Sequence, residues 1–380
     1  MATKTKALAQ PFVVVLKDAE AVPREEWLLE RKLAICGSDY PALVGLDGFK
    51  TSIDIFEDKT NPTAVNSEIT LADKYRFDIG HALESVMHEA VANEIGAIAV
   101  RDKRMVESTK YPYMRVNIDG LFYIQEDCVV CGYIFKKGDV VMFEGKTCTY
   151  SKYMDYREAP APAHVAQSKY GMLVRGLTHC IIGYSCGGNN LSRDLTYHVV
   201  ELTKDDIETI PVVVREFWEE SVQKNTPPTE ALGPYASEFK KALIRHYGKA
   251  AKNDGEIYRF PIHMQEVFKK SLELRSRLAQ MNKEIRLTEA ERDSVEAPLI
   301  ALLGSEYQTG ILESIYLTYK AGFSVSERET ISADNMERLR DEQPDVYKKL
   351  TKEGIINTSI TRSFSVRSKQ KKAKTQRNRK

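Results

Sequence analysis

The chain has 380 residues, 42% of them hydrophobic, enough for one large domain or two ordinary ones. Its net charge of +1 hides a division: Arg367 to Lys380 hold eight Lys/Arg and no acid, so the remainder sums to about −7. No apolar run approaches the roughly 20 residues that span a bilayer, Phe12 to Leu16 is too short for a signal peptide, and six cysteines do not make a disulfide scaffold.

Residues 1–22 read as a lead-in strand or arm. Pro23 opens a predicted helix with Glu25 and Glu26 in its first turn, where carboxylates suit the helix dipole; it runs to about Cys36-Gly37. Ser38 or Asp39 can cap a second, short helix before Gly45. From Asp78 to Ile95 apolar residues recur at helical spacing, with Glu84 at the edge of the stripe. Three β-branched or aromatic runs follow, 113–124, 128–135 and 140–144, with a turn at Lys137-Gly138-Asp139 between the last two. A helix at 162–175, a strand at 177–184, a turn at 187–190 and a strand at 196–202 complete an α/β core with a mixed sheet. Beyond 203 the chain is charged and helix-forming, and Leu272, Leu274, Leu278 and Met281 suggest a long arm packed on a neighbour or a solvated hairpin. The expected organisation is an arm (1–22), a core (23–202), a helical arm (203–310), a small mixed segment (311–366) and a basic, disordered tail (367–380).

Asn117-Ile118-Asp119-Gly120 and Glu144-Gly145-Lys146-Thr147 carry the strongest chemical pattern. Two acids on adjacent strands can hold a divalent cation through hard oxygen ligands. A lysine two residues after the second acid points to the same face of its strand, where it can orient water or offset developing charge. By itself the pattern is common on surface strands. Two details sharpen it: Glu144 ends the apolar run 140–143, and Gly145 admits a metal or a backbone closely.

Several stretches then resemble, in order, the motifs of YqaJ-type viral recombinases, relatives of λ-exonuclease in the PD-(D/E)xK nuclease superfamily. They are Glu26-Trp27…Arg31…Ile35-Cys36-Gly37-Ser38-Asp39…Gly45-Leu46…Phe49-Lys50-Thr51, Gly80-His81-Ala82-Leu83-Glu84, Asn117-Ile118-Asp119-Gly120, Glu144-Gly145-Lys146-Thr147, and Ala166-Gln167-Ser168-Lys169 with Gly176. The resemblance implies a restriction-endonuclease-like α/β core and a 5′-to-3′ exonuclease that leaves 3′ overhangs on linear duplex DNA. Asp119 and Glu144 would bind Mg²⁺ (with Mn²⁺ able to substitute), and the Gly145 carbonyl would be a further ligand. Glu84 would hold a second metal or its waters, Lys146 would act on the water, and Gln167 would orient Lys146 or the phosphate. Arg31 and Ser38, with Asn117 beside them, match the positions that hold a terminal 5′ phosphate, and Ser38 also suits an anion as part of a helix start. The implied partners are DNA with free ends and a phage-type single-strand annealing protein; the implied assembly is a homo-oligomer, a trimer by analogy, in the cytoplasm of a bacterial host cell. Ile118 replaces the superfamily's proline, Cys36 replaces a usual glycine, and residues 57–73 form a gap in the likeness. The segment Asp334…Gln343-Pro344-Asp345-Val346-Tyr347…Arg362-Ser363-Phe364 resembles the family's C-terminal end less specifically.

Other signals are weaker. Cys128 and Cys131 with Cys180 and Cys186 do not have the spacing of a zinc or iron–sulfur site and read better as buried thiols. His81 and His88 read as flanking the acids or facing solvent rather than as ligands. Tyr111, Tyr113, Tyr123 and Tyr133 fit base stacking or, equally, strand pairing. The basic tail suits non-specific DNA binding or plain solvation. An endonuclease on the same core, or a silent DNA-binding assembly protein, stands as the rival reading.

Overall fold

The computed structural model describes residues 11–61, 71–187, 194–247, 259–314, 317–328, 339, 342–352 and 359–370. The turn expected at 187–190 lies largely outside them, as do much of the 57–73 gap, Asp334 and residues 371–380 of the basic tail. Contacts divide the chain into two units, Met1–Asp254 and Gly255–Lys380.

The first unit begins with β1 (Phe12–Leu16), α1 (Arg24–Lys32), β2 (Ile35–Cys36), α2 (Tyr40–Leu43), α3 (Ser52–Thr60) and α4 (Leu71–Ile95). There follow β3 (Ala97–Arg101), β4 (Met105–Ser108), β5 (Met114–Val116), β6 (Gly120–Ile124), β7 (Cys128–Val130), β8 (Tyr133–Phe135) and β9 (Val140–Thr147). Then come α5 (Tyr150–Glu158), α6 (Pro162–Arg175), β10 (His179–Ser185), β11 (Leu195–Glu201), α7 (Lys204–Glu216) and α8 (Ala236–Tyr247). The central sheet runs β11-β10-β9-β6-β3, and only β9 and β10 are parallel. The mixed α/β core expected from the sequence is therefore present, with α4 on one face and α6 on the other.

The alternation of β9 explains that sandwich. Val141 and Phe143 join Met87, Val91 and Phe122 in a core under α4, whereas Met142 joins Tyr170 and Val174 in the core under α6. Two predicted strands were drawn too long. The run 113–124 is two strands in two sheets, because Asn117-Ile118-Asp119 crosses from β5, in the four-stranded sheet β1-β4-β5-β2, to β6 in the central one. The run 128–135 is a separate hairpin, broken where Cys131 and Gly132 both take positive φ. The third antiparallel strand of the central sheet is instead β3, a short segment directly after α4.

Helix boundaries also moved. Helix α1 ends at Lys32, and Ile35-Cys36 pairs with Met114-Arg115 as a parallel strand. Helix α2 is only four residues long and its N-cap is the acid Asp39 without a side-chain cap bond, so the helix-start argument for Ser38 as an anion site does not hold. The boundary expected at 203 is not a packing boundary: Ile210, Val214 and Phe217 lie in the main core, and Phe239 and Ala242 pack on Ile53.

The second unit holds a 39-residue helix, α9 (Gln265–Leu303), a three-stranded antiparallel sheet of β12 (Thr309–Glu313), β13 (Leu317–Arg328) and β14 (Ser359–Gln370), and α10 (Pro344–Lys352). The first four residues of the basic tail end β14. No helix among the described residues is long and apolar enough to cross a membrane.

Candidate active site

Strand β9 serves both faces of the sheet at once. Glu144 and Lys146 share one face, as period-two alternation requires, and the Lys146 ammonium sits 2.6 Å from Glu144 Oε1. Gln167, from α6 on that face, donates to the same oxygen at 2.5 Å. Asp119 comes from the crossover into β6, and its Oδ2 accepts the Gly145 amide at 2.7 Å, which ties the two acid-bearing segments together.

Gly145 points to the other face, toward α4. A Cβ there would lie 3.2 Å from Cγ of Glu84, so it is an acid-bearing helix, rather than a backbone, that the missing side chain admits. Gly120 does the same for the next turn of α4: a Cβ would come within 2.2 Å of the His88 ring. That ring stacks on Phe143 at 4.6 Å and lies 3.1 Å from the Leu121 carbonyl. Burial pulls its pKa down to about 4. His88 is thus a core residue, neither flanking the acids nor facing solvent; His81 does face the cleft.

The charge balance of the acid cluster is poor. Burial pushes the Glu144 carboxyl up to about 7, with Asp119 adding to the rise and Lys146 opposing it. Burial and the nearby Glu84 push Asp119 up to about 6. Glu84 is raised as well, by burial and then by Glu144, against Lys146. Lys146 feels all three acids; they hold its pKa above the usual lysine value although burial works the other way.

Hard oxygen donors from α4, β6 and β9 therefore converge in a partly desolvated place with one cation among three acids, which suits a divalent ion. They are not closed into a ready coordination sphere: among the described residues no group of three or more His, Cys, Asp or Glu is arranged to hold a metal ion. Glu144 is turned onto Lys146 and Gln167, and would have to exchange them to ligate. The donor chemistry fits a metal; the rotamers are those of a resting site. The six cysteines are all free; of the four expected to be buried only Cys180 is, while Cys128 and Cys186 are half-buried and Cys131, in the hairpin turn, is exposed.

These groups form one end of a cleft of about 680 Å³ that also contains Arg31, Ser38 and Asn117. Eight of the nine residues singled out from the sequence line it; the ninth, Gly145, lies behind, against Glu84. Arg31 does not pair with an acid of its own helix. It donates to Ser38 Oγ at 2.6 Å, lies 3.6 Å from Asp39 and packs over Trp27 at 4.7 Å. Asp39 in turn holds Lys59 at 2.8 Å and accepts the Cys36 amide, and despite burial these cations keep its carboxyl down at about 2.

Sequence reasoning missed the cleft's other cations, Arg24, Lys50, Arg101 and Lys103, and the aromatic Phe77. Arg24 and Trp27 could have been found, since they precede Arg31 at helical spacing. Arg101 pairs in register with Gly120, the neighbour of Asp119, but β3 had not been recognised as a strand. Of the four tyrosines, none lines the cleft: Tyr113 stacks on Trp218 at 6.2 Å and Tyr133 meets His179 edge-on.

The α/β core thus gathers an Asp, a Glu-x-Lys and a helical Glu in one cleft together with several arginines and lysines. Residues 26–177 match the model of the YqaJ-like viral recombinase domain. The curated protein described as "Uncharacterized protein YqaJ", from Bacillus subtilis strain 168, is 23% identical over 351 residues, which cover 90% of this chain and 94% of the relative. Looser likenesses occur among solved structures. The alkaline exonuclease LHK-Exo from Laribacter hongkongensis is 14% identical with a TM-score of 0.41, covering 58% of this chain and 99% of that one. A phage-related exonuclease from Haemophilus somnus 129PT is 11% identical with a TM-score of 0.35, covering 51% and 96%.

Proposed function

We propose that the chain is a metal-dependent deoxyribonuclease that resects linear duplex DNA from its 5′ ends and leaves 3′ single strands for an annealing protein. The observation that carries this reading is that one cleft is lined both by the cluster of acids with Lys146 and by the Arg31–Ser38 pair and Asn117. The family-model match over 26–177 supports it. A non-enzymatic binding protein has no need to crowd three acids, Glu144 among them buried, around one lysine.

Asp119 and Glu144, with Glu84 and the Gly145 carbonyl, would hold a divalent cation, Mg²⁺ or Mn²⁺. Such an ion polarises a phosphoryl oxygen and lowers the pKa of bound water. Lys146, paired with Glu144 in this structure, would offset with its charge the negative charge that builds up in the transition state. Gln167, whose amide donates to Glu144, would orient Lys146 or the phosphate. Arg31, held flat by Trp27 and aimed by Asp39, presents its remaining N–H groups with the Ser38 hydroxyl to a terminal phosphate.

The test is digestion of linear, covalently closed and 5′-dephosphorylated duplex DNA with and without divalent metal. Metal-dependent loss of linear DNA only, slower on dephosphorylated ends, is expected. Equal cutting of closed circles would turn the assignment to the endonuclease rival, and no cutting at all would leave the binding-protein reading.

A further inference from the structure

The structure assigns α9 a function that the acidic cleft does not touch: we infer that it is the half-interface of an antiparallel coiled coil with a second copy of this chain. Helix α9 is 39 residues long, about 58 Å at 1.5 Å per residue, and nearly all of it is exposed. Val267, Leu274, Leu278, Met281, Ile285 and Val295 share one heptad phase, with Ser271, Thr288 and Arg292 at the positions between them, and all six are exposed; Phe268, Leu272, Leu287 and Ile300 lie off that seam. A one-sided solvated helix needs no such seam.

The flanking charges fix the occupant and its direction. In the positions beside the seam the first half of α9 is basic (Lys270, Arg275, Arg277) and the second half acidic (Glu284, Glu289, Glu291, Glu296). A parallel pair would set Lys270 against Arg275, Glu284 against Glu289 and Glu291 against Glu296, three like-charge contacts. Reversing one helix removes all three. About a single two-fold axis near residue 280 the antiparallel pair brings Lys270 to Glu291 and Arg277 to Glu284, each twice by symmetry. The same register puts Leu278 on Met281, Leu274 on Ile285 and Ser271 on Thr288, with Arg292 set against Val267 at each end of the pair. The central seam and the flanks agree on one alignment, and the partner whose charges complement this helix is this helix.

Sedimentation velocity of the full chain and two charge-reversed variants tests the assignment. Wild type should associate reversibly to twice its 43.1 kDa mass. Among the four flanking residues that meet across the two-fold axis, 270, 277, 284 and 291, Lys270→Glu/Arg277→Glu makes all four acidic and Glu284→Lys/Glu291→Lys makes all four basic. Each alone should raise the dissociation constant about 10–100-fold, the sum of several surface charge contacts turned repulsive. An equimolar mixture of the two should restore dimer, as a heterodimer, because every flanking contact is then complementary; variants that had merely misfolded would not rescue one another. A monomeric wild type overturns the inference, as does a dimer or a ring of three that survives both reversals, or a mixture that stays dissociated.

Discussion

Two buried carboxylates in one cleft sit at opposite extremes of acidity. Asp39 and Glu144 are equally hidden, at 2% and 3% exposure, yet the first is held at about 2 and the second raised to about 7. Each touches a lysine, 2.8 Å away for Asp39 and 2.6 Å for Glu144. What differs is the company. Asp39 is one acid served by Lys59 and Arg31, whereas Lys146 is one cation divided among Glu144, Asp119 and Glu84. The first is a finished structural network that fixes the arginine. The second is electrostatically incomplete, and an incomplete cluster is where an external cation and its chemistry belong.

The sharpest way to break this contrast is to remove an acid from the incomplete end. Asp119→Ala or Glu144→Ala should reduce metal-dependent degradation of linear duplex DNA to background while the protein keeps its cooperative unfolding transition. Wild-type activity in either folded variant would take the chemistry away from this cluster.

Lys146→Ala should be slower by about 10²–10³ with metal binding retained, the usual effect of losing one preorganised charge. Calorimetry that shows lost metal affinity and a normal rate at saturating metal would make Lys146 a structural counter-ion.

At the finished end, Arg31→Ala should slow digestion of 5′-phosphorylated ends by about 10–100-fold, the worth of a charge-assisted hydrogen bond. Dephosphorylated ends, already slow, should change little. Equal losses on both substrates would mean that Arg31 serves only to stabilise the fold with Asp39.

The smallest effect is thermodynamic and is read without DNA. A carboxyl whose folded pKa is raised favours the folded state below its unfolded pKa, near 4.5, and that stability is lost as pH rises through about 7. Metal-free wild type should therefore lose stability relative to Glu144→Gln between about pH 4.5 and 7, on the order of 1 kcal/mol or more. His88 and His164, both pulled down by burial, act in the opposite sense and cancel in the difference. Parallel pH profiles for the two proteins would show that Glu144 is not the strained group.

Much of the chemistry was readable before any coordinates. Asp119, Glu144 and Lys146 were legible because strand alternation is a local rule that needs no knowledge of neighbours. Glu84 and Gln167 came from the family likeness, and their partners could not be deduced: that Gln167 meets Glu144, and Glu84 meets Gly145, depends on which helix covers which face. Strand β3 was missed because Ala97–Arg101 carries no polar alternation, and with it went Arg101. The split of 113–124 was hidden for a related reason, since a crossover between sheets keeps Ile118 buried and leaves no polar interruption beyond Asn117 and Asp119.

Helix α4 is gripped along only part of its length. Met87, Val91 and Ile95 are buried, while Leu71, Tyr75 and Ile79 stand in solvent. It is a cantilever clamped from about Glu84 onward, and the clamp is the pair of notches at Gly145 and Gly120. Phe77 and His81 ride on the overhang and face the cleft. The carboxylate of Glu84 sits at the clamped edge, one helical turn beyond His81 and two beyond Phe77.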